Sequence, residues 1–417
     1  MSRPSRPEPV SAPFWTPYVY TLLVLMALGL VAALARFIWG LGAVTNLSDR
    51  YPWGIWKAVS VAAGVALATG GFTTAALVHV FHRERYEPVV RSALLVALLG
   101  YTYGATSLFV DLGRYYNIWH PMWPSMWQGD SALFEVAICI MTYMLIMYVE
   151  FMPIVCERFI GRVHLQGALA AFNGPLDRSL RFIQGALGRI LSVLLVAGVV
   201  ISCMHHSSLG SLMLIARYKL DSLWYTPVLP LLFLLSVFAA GFAVVTAESL
   251  ATTWVLGRRP RMEVLRPLSN YTLIFLGVYL IARVADVLIR GVQGRLLEGS
   301  LSSRFFLLEV GLGFVAPFLM LASRRVRRTP EGLMVASGLI IFGIVMNRAN
   351  VFITAYQPSY AATRYFPSLG EVLITVGLLA FFAFLHRIAV GIFPVVDLGP
   401  RSRPLRAAPV QASARST

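Results

Sequence analysis

Residues 111–150 read DLGRYYNIWHPMWPSMWQGDSALFEVAICIMTYMLIMYVE, and this stretch decides the fold. Asp111 and Arg114 close one apolar segment, an aromatic and proline-rich loop follows, and the next apolar segment carries a glutamate near each end, Glu135 and Glu150. Ionisable groups inside a membrane helix are costly, so they are expected to face a bundle interior or a wet cavity and to serve function. At 100° per residue, Cys139, Thr142, Ile146 and Glu150 fall within roughly 60° of the direction of Glu135. That spacing predicts one inward-facing stripe running from membrane face to membrane face, suited to carrying protons.

Working outward, the rest of the chain repeats the same apolar grammar. Of 417 residues, 58% are hydrophobic and 13% charged, and mean hydropathy is +0.71, a ratio that excludes a soluble globular domain. The expected class is all-α: a polytopic membrane bundle of about ten helices, each long enough to cross roughly 30 Å of hydrocarbon. The spans are expected near 18–40, 53–81, 91–113, 131–156, 182–203, 224–256, 268–289, 305–323, 332–356 and 369–393. The ninth is interrupted by Asn347, Arg348 and Asn350. Residues 1–17 and 395–417 are rich in Pro, Arg and Ser and are expected to be disordered tails around one domain at 18–394.

The net charge of +16 would suggest nucleic acid in a soluble protein, but here it is topological. Sorted by alternate loops, 22 of the 35 Lys and Arg lie on one side, 8 on the other, and five fall within spans. The positive-inside rule then predicts both termini in the cytoplasm. With that orientation Trp53, Asp111, Arg114, Glu135, His205, Arg283, Asp286, Glu309, Arg348 and Glu371 lie towards the outer face. Only His79, Glu150, Glu248 and His386 lie towards the inner one.

Each of these residues also has a structural reading. Asp111 with Arg114, and Arg283 with Asp286, stand at i and i+3, where an ion pair is as natural as a site role. Trp53, Trp56, Trp119, Trp123 and Trp127 suit an interfacial aromatic belt or the entrance of a ring-shaped ligand. Cys139, Cys156 and Cys203 show no CxxC or CxH spacing, so no disulfide framework or metal site is expected. A haem needs two facing axial ligands, and the candidate pair His79 and His386 lies so near the membrane edge that no haem is expected either.

Five ordered motifs carry a resemblance: PWGIW at 52–56, DLGRYYN at 111–117, SALFEVAI at 131–138, MHHSSLGSLM at 204–213 and YFPSLGEVLI at 365–374. Together they resemble the NrfD/PsrC (polysulfide-reductase) family of integral membrane subunits, and within it the HybB-like branch that serves periplasm-facing nickel-iron uptake hydrogenases. The likeness covers nearly the whole chain apart from the tails. It implies a subunit without haem or metal that binds a quinone, menaquinone or ubiquinone, between helices near the outer face. It also implies a ferredoxin-like iron-sulfur subunit docked there, with a catalytic subunit behind it. Residue by residue, Glu135 matches the glutamate associated with the quinone and proton site, His205 the histidine of its motif, and Asp111 and Arg114 the DxGR positions. Where the HybB-like branch has HQSS, this chain has His205-His206-Ser207-Ser208.

The resemblance and the residues ask for the same chemistry. A quinone is an apolar ring with two carbonyls, so its pocket needs apolar walls, a donor at each carbonyl and a titratable group. Glu135 and His205 are the expected proton donors, Trp53, Asp111 and Arg114 the expected quinone contacts, and Glu150 and Glu248 a route for protons from the inner face. Two rival classes share the composition. One is the membrane anchor of a molybdopterin oxidoreductase; the other is a proton-coupled secondary transporter, whose usual sign is a pair of discontinuous helices.

Overall fold

In the computed structural model, which describes residues 7–361 and 363–397, ten helices are long and apolar enough to cross a membrane. They are α1 (Pro17–Trp39), α2 (Trp56–Val80), α3 (Glu87–Asp111), α4 (Ala132–Phe159), α5 (Asn173–Ser211), α6 (Leu229–Val255), α7 (Met262–Ile289), α8 (Leu301–Ala322), α9 (Pro330–Thr354) and α10 (Leu369–Ile392). The chain is thus a multi-pass membrane protein. Among the described residues no strand forms, and the one β-bridge pairs Leu220 with Tyr356. Lipid offers no partner to a bare backbone group, which is why every span is helical. The start signals are local. Thr16 caps α1 ahead of Pro17, Ser131 caps α4, Thr329 caps α9 ahead of Pro330, and Ser368 with Glu371 forms a reciprocal capping box on α10.

α2 lies at the centre, packed against α3, α6 and α9, and 83% of its most apolar stretch is buried. α4 pairs with α5, α6 with α7 and α8 with α9, while α1 lies along α10 at the outside. Two glycine pairs set the closest crossings. A Cβ on Gly29 of α1 would stand 2.6 Å from Gly377 Cα of α10, and one on Gly313 of α8 would stand 2.4 Å from Gly343 Cα of α9. Small residues at these points let the backbones approach, as membrane helices require when burial of apolar area no longer drives association. π-helical turns at 56–63, 76–80, 311–315 and 350–354 widen the ladder, and such turns commonly sit at functional sites.

The structure departs from the sequence reading at two spans. The fifth helix does not stop near Cys203 but runs on to Ser211, so the MHHSSLGS residues are helical. The reason is tertiary: His205, His206 and Ser208 are buried against neighbouring helices, which outweighs the polar, turn-like look of the sequence. In the ninth, Asn347, Arg348 and Asn350 do not break the helix, because Glu309 and Ser236 receive their side chains. Of the tails expected at 1–17 and 395–417, residues 1–6 and 398–417 lie outside the described residues. Residues 7–16 run along the end of α10, where Val10 N donates to Val390 O at 3.0 Å and Arg387 reaches the Pro13 carbonyl at 2.8 Å.

Candidate functional site: an apolar cavity with a paired lysine

The start of α2, the end of α3, the loop at 112–131, the start of α4 and the end of α5 enclose a cavity of about 560 Å³. Its walls are largely apolar, among them Trp53, Leu108, Phe134, Ile140, Leu212 and Phe352. Polar groups are few: Lys57, Asn117, His120, Gln128 and Ser131. A volume of this size with sparse polar groups is the usual form of a pocket for a small organic ligand.

Lys57 gives the cavity its charge. Its ammonium pairs with the carboxylate of Asp111, donates to Pro52 O at 3.1 Å and lies 5.8 Å from the Trp53 ring. Trp53 in turn meets Phe352 edge-on with centroids 5.8 Å apart. An ammonium at membrane depth needs such a partner, and the pairing fixes it at the wall. The Asp111–Arg114 ion pair that the i, i+3 spacing allows does not form. Helix α3 ends at Asp111, the next residues turn away, and the Arg114 side chain is exposed, outside the cavity, with no hydrogen bond among the described residues. The second i, i+3 pair is also weak. Asp286 is taken by Arg290 at 2.7 Å and Thr226 at 2.5 Å, leaving Arg283 at 3.9 Å.

Glu135 sits one residue from the lining side chains Phe134 and Val136, and its Oε1 accepts from Ser208 Oγ of α5 at 2.5 Å. It is exposed at the edge of the packed face of α4, and so is Thr142. The buried face of α4 is centred instead on Val136, Tyr143 and Met147, roughly 100° round the helix from Glu135. Of the stripe expected from Glu135 to Glu150, Cys139, Ile146 and Glu150 are buried while Glu135 and Thr142 are exposed, and beside it a lane of polar groups lies between α3, α4 and α5. There Tyr101 OH lies 3.3 Å from His206 Nε2 and 3.2 Å from Ser202 Oγ, with the Tyr143 ring 4.5 Å from that of Tyr101. Glu150 lies two turns further along α4, beside Gly198, where a Cβ would stand 3.2 Å from its Oε1.

His205 is fully buried next to this lane, and neither ring nitrogen has a partner among the described residues. It does not line the cavity. Glu248 on α6 is separate from the rest: Thr252 Oγ1 donates to its Oε1 at 3.0 Å, and its other oxygen is buried in a hollow shared with Ser92. Glu371, at the start of α10, is structural. It closes the capping box and accepts from Tyr365 and from Asn46 N at 3.0 Å. Burial and this bond push the Tyr365 hydroxyl well above the ordinary tyrosine range, so it remains a donor.

Lys57, Tyr101 and Tyr143 are the residues that sequence reasoning missed. Lys57 had a signal, since it stands one turn after Trp53 in PWGIWK and is the sole lysine within a span. The tyrosines had none, because their pairing depends on how three helices meet.

A ten-span membrane bundle with a ligand-sized cavity walled by PWGIW, DLGR and LFE residues defines an integral membrane subunit of an oxidoreductase complex. The chain belongs to the NrfD polysulphide reductase family, which it matches over residues 43–358. It is 29% identical over 393 residues to the probable Ni/Fe-hydrogenase 2 b-type cytochrome subunit of Escherichia coli, covering 94% of this chain and 95% of the relative. It is 25% identical to a selenate reductase subunit of Mesobacillus selenatarsenatis, over 91% of this chain and 94% of the relative. The menaquinone reductase integral membrane subunit of Nitratidesulfovibrio vulgaris is 29% identical over 43% of each chain. The first of these names implies a haem, which would take axial side chains from facing helices. The four histidines on spans do not fit that role. His205 and His206 are consecutive on α5, His79 is exposed at the end of α2, and His386 lies on α10, which packs on α1 and α3.

Proposed function

We propose that the chain is the quinone-reactive membrane subunit of a respiratory complex in the bacterial inner membrane. It passes electrons between a periplasmic ferredoxin-like iron-sulfur subunit, most naturally that of a nickel-iron hydrogenase, and the membrane quinone pool. Both termini are cytoplasmic in this reading, which puts the cavity at the periplasmic side. The observation that carries it is the apolar 560 Å³ cavity holding one paired cation, Lys57–Asp111, beside the Glu135–Ser208 bond. The apolar walls hold the ring, with Trp53 and Phe352 edge-on at one end. Lys57 donates to one carbonyl and favours negative charge developing on it. Glu135 supplies protons at the other end, relayed through Ser208. Reduction takes two electrons from the partner and two protons, and Glu150, Tyr143, Ser202, Tyr101 and His206 form the lane by which protons arrive from the far face. Glu248 would serve that lane only as a separate entry on α6.

A second reading keeps the membrane chemistry and replaces the hydrogenase by a molybdopterin reductase; the similarity to a selenate reductase subunit favours it. Purification of the intact complex, identification of co-eluting subunits and solvent extraction of bound quinone test both readings. One quinone per chain together with nickel-iron subunits is the expected result. A preparation holding neither quinone nor redox partner overturns it.

A further inference from the structure

At the opposite, arginine-rich end of the bundle, three separate segments converge on a second concavity of about 540 Å³. Arg85 comes from the turn before α3, Arg266 from the second turn of α7, and Arg328 from the 323–330 loop. Met262, Glu263, Pro267 and Asn270 complete the wall, so the site carries three positive charges and one negative. None of the three guanidiniums has an ion pair or hydrogen bond among the described residues. Three other arginines at this end do: Arg91 pairs with Glu157, Arg181 with Asp177, and Arg327 is bound to Asn270 Oδ1. The Arg327 bond holds the loop against α7 and keeps Arg328 at the rim. The positive-inside rule accounts for arginines at this end but not for three of them converging from separate segments on one hollow.

A second observation concerns what lies beneath. On α7, Arg266, Asn270, Ile274 and Ile281 fall within about 80° of the helix circumference. The first two line the hollow, and Ile274 and Ile281 are 59% and 72% exposed. One helix face therefore leads from guanidiniums at headgroup depth on to bare apolar surface at hydrocarbon depth.

We propose that this hollow binds the phosphate of an anionic phospholipid, its acyl chain lying along Ile274 and Ile281. Guanidinium forks match phosphate oxygens, and basic hollows between spans on the inner side favour anionic headgroups. The inference is independent of the quinone site. Its test is native mass spectrometry of the full chain in neutral detergent, titrated with dioleoylphosphatidylglycerol and, separately, dioleoylphosphatidylcholine. Phosphatidylglycerol is expected to bind and phosphatidylcholine not to. Affinity should fall about fivefold per charge removed, reaching about a hundredfold in R85Q/R266Q/R328Q. The control R324Q/R325Q, on the same loop but outside the hollow, should keep it. Equal loss in the control shows a diffuse surface charge and overturns the proposal, as does unchanged binding in the triple variant. Displacement by millimolar inorganic phosphate identifies a free-phosphate site and overturns the lipid. If the triple variant fails to fold, the fivefold change in R266Q alone decides.

Discussion

Glu309 and Glu135 are both carboxylates within the helix bundle, and their surroundings treat them oppositely. Glu309 is fully buried and accepts from Trp224 Nε1 at 2.9 Å, Asn347 Nδ2 at 2.7 Å and Asn350 Nδ2 at 2.7 Å. Arg348 extends that cluster through Asn347 at 2.5 Å and Ser236 at 2.9 Å, its guanidinium over the Phe233 ring. Among the described residues Glu135 has one side-chain hydrogen-bond partner, Ser208, and neighbours a hollow; His205, one turn before Ser208 on α5, has none. A carboxylate whose oxygens are filled by several donors specifies packing, whereas one with a single partner at the edge of a cavity is open to a ligand or a proton.

The sharpest way to break this comparison is to remove the satisfied acid. Glu309→Leu strands three buried donors at about 1–3 kcal/mol each, so a loss of about 3–9 kcal/mol and of most folded protein is expected. Thermal unfolding in detergent measures it, and a variant as stable as the parent would erase the distinction. Glu135→Gln should leave stability within about 0.5 kcal/mol while lowering quinone-linked turnover about 10²- to 10⁴-fold. The partner should remain active towards an artificial electron carrier. Full quinone turnover would reduce Glu135 to a surface acid.

Lys57 sharpens the contrast because it belongs to both categories. Alone, Lys57→Met leaves Asp111 uncompensated and costs about 3–5 kcal/mol. The double variant K57M/D111N should recover most of that stability yet keep a roughly 10- to 100-fold deficit in quinone turnover, the worth of one charged hydrogen bond. Recovery of both would make the pair structural. The smallest effect is expected from Glu150→Gln, fifteen residues and about 22 Å along α4 from Glu135. Quinone affinity should stay within about twofold, and only the response of turnover to membrane potential should change; a large rise in KM would contradict the separation.

How much of this was legible in the sequence follows from what each residue depends on. The spans, the caps at Thr16, Ser131 and Ser368, and the candidate positions of Trp53, Asp111 and Glu135 rest on local patterns that a sequence displays. The Lys57–Asp111 pair joins residues 54 apart and needs α2 to cross α3 at one height. The length of α5 was misread for a related reason: His205, His206 and Ser208 look like a turn until the helices that bury them are present. Arg114 was paired by spacing alone, and helix α3 ends too early for that spacing to hold.

The Gly29–Gly377 crossing has a consequence in time. The surface that receives α1 belongs to α10, almost 350 residues downstream. At roughly 5–20 residues per second, α1 waits in the bilayer for about 20–70 s before its mate is synthesised. Its lipid-compatible face, with Val24, Leu28 and Val31 exposed, lets it wait there without a companion. Helix α1 is therefore inserted long before it finds its place, and a ribosome that stops short of residue 369 leaves it unclaimed.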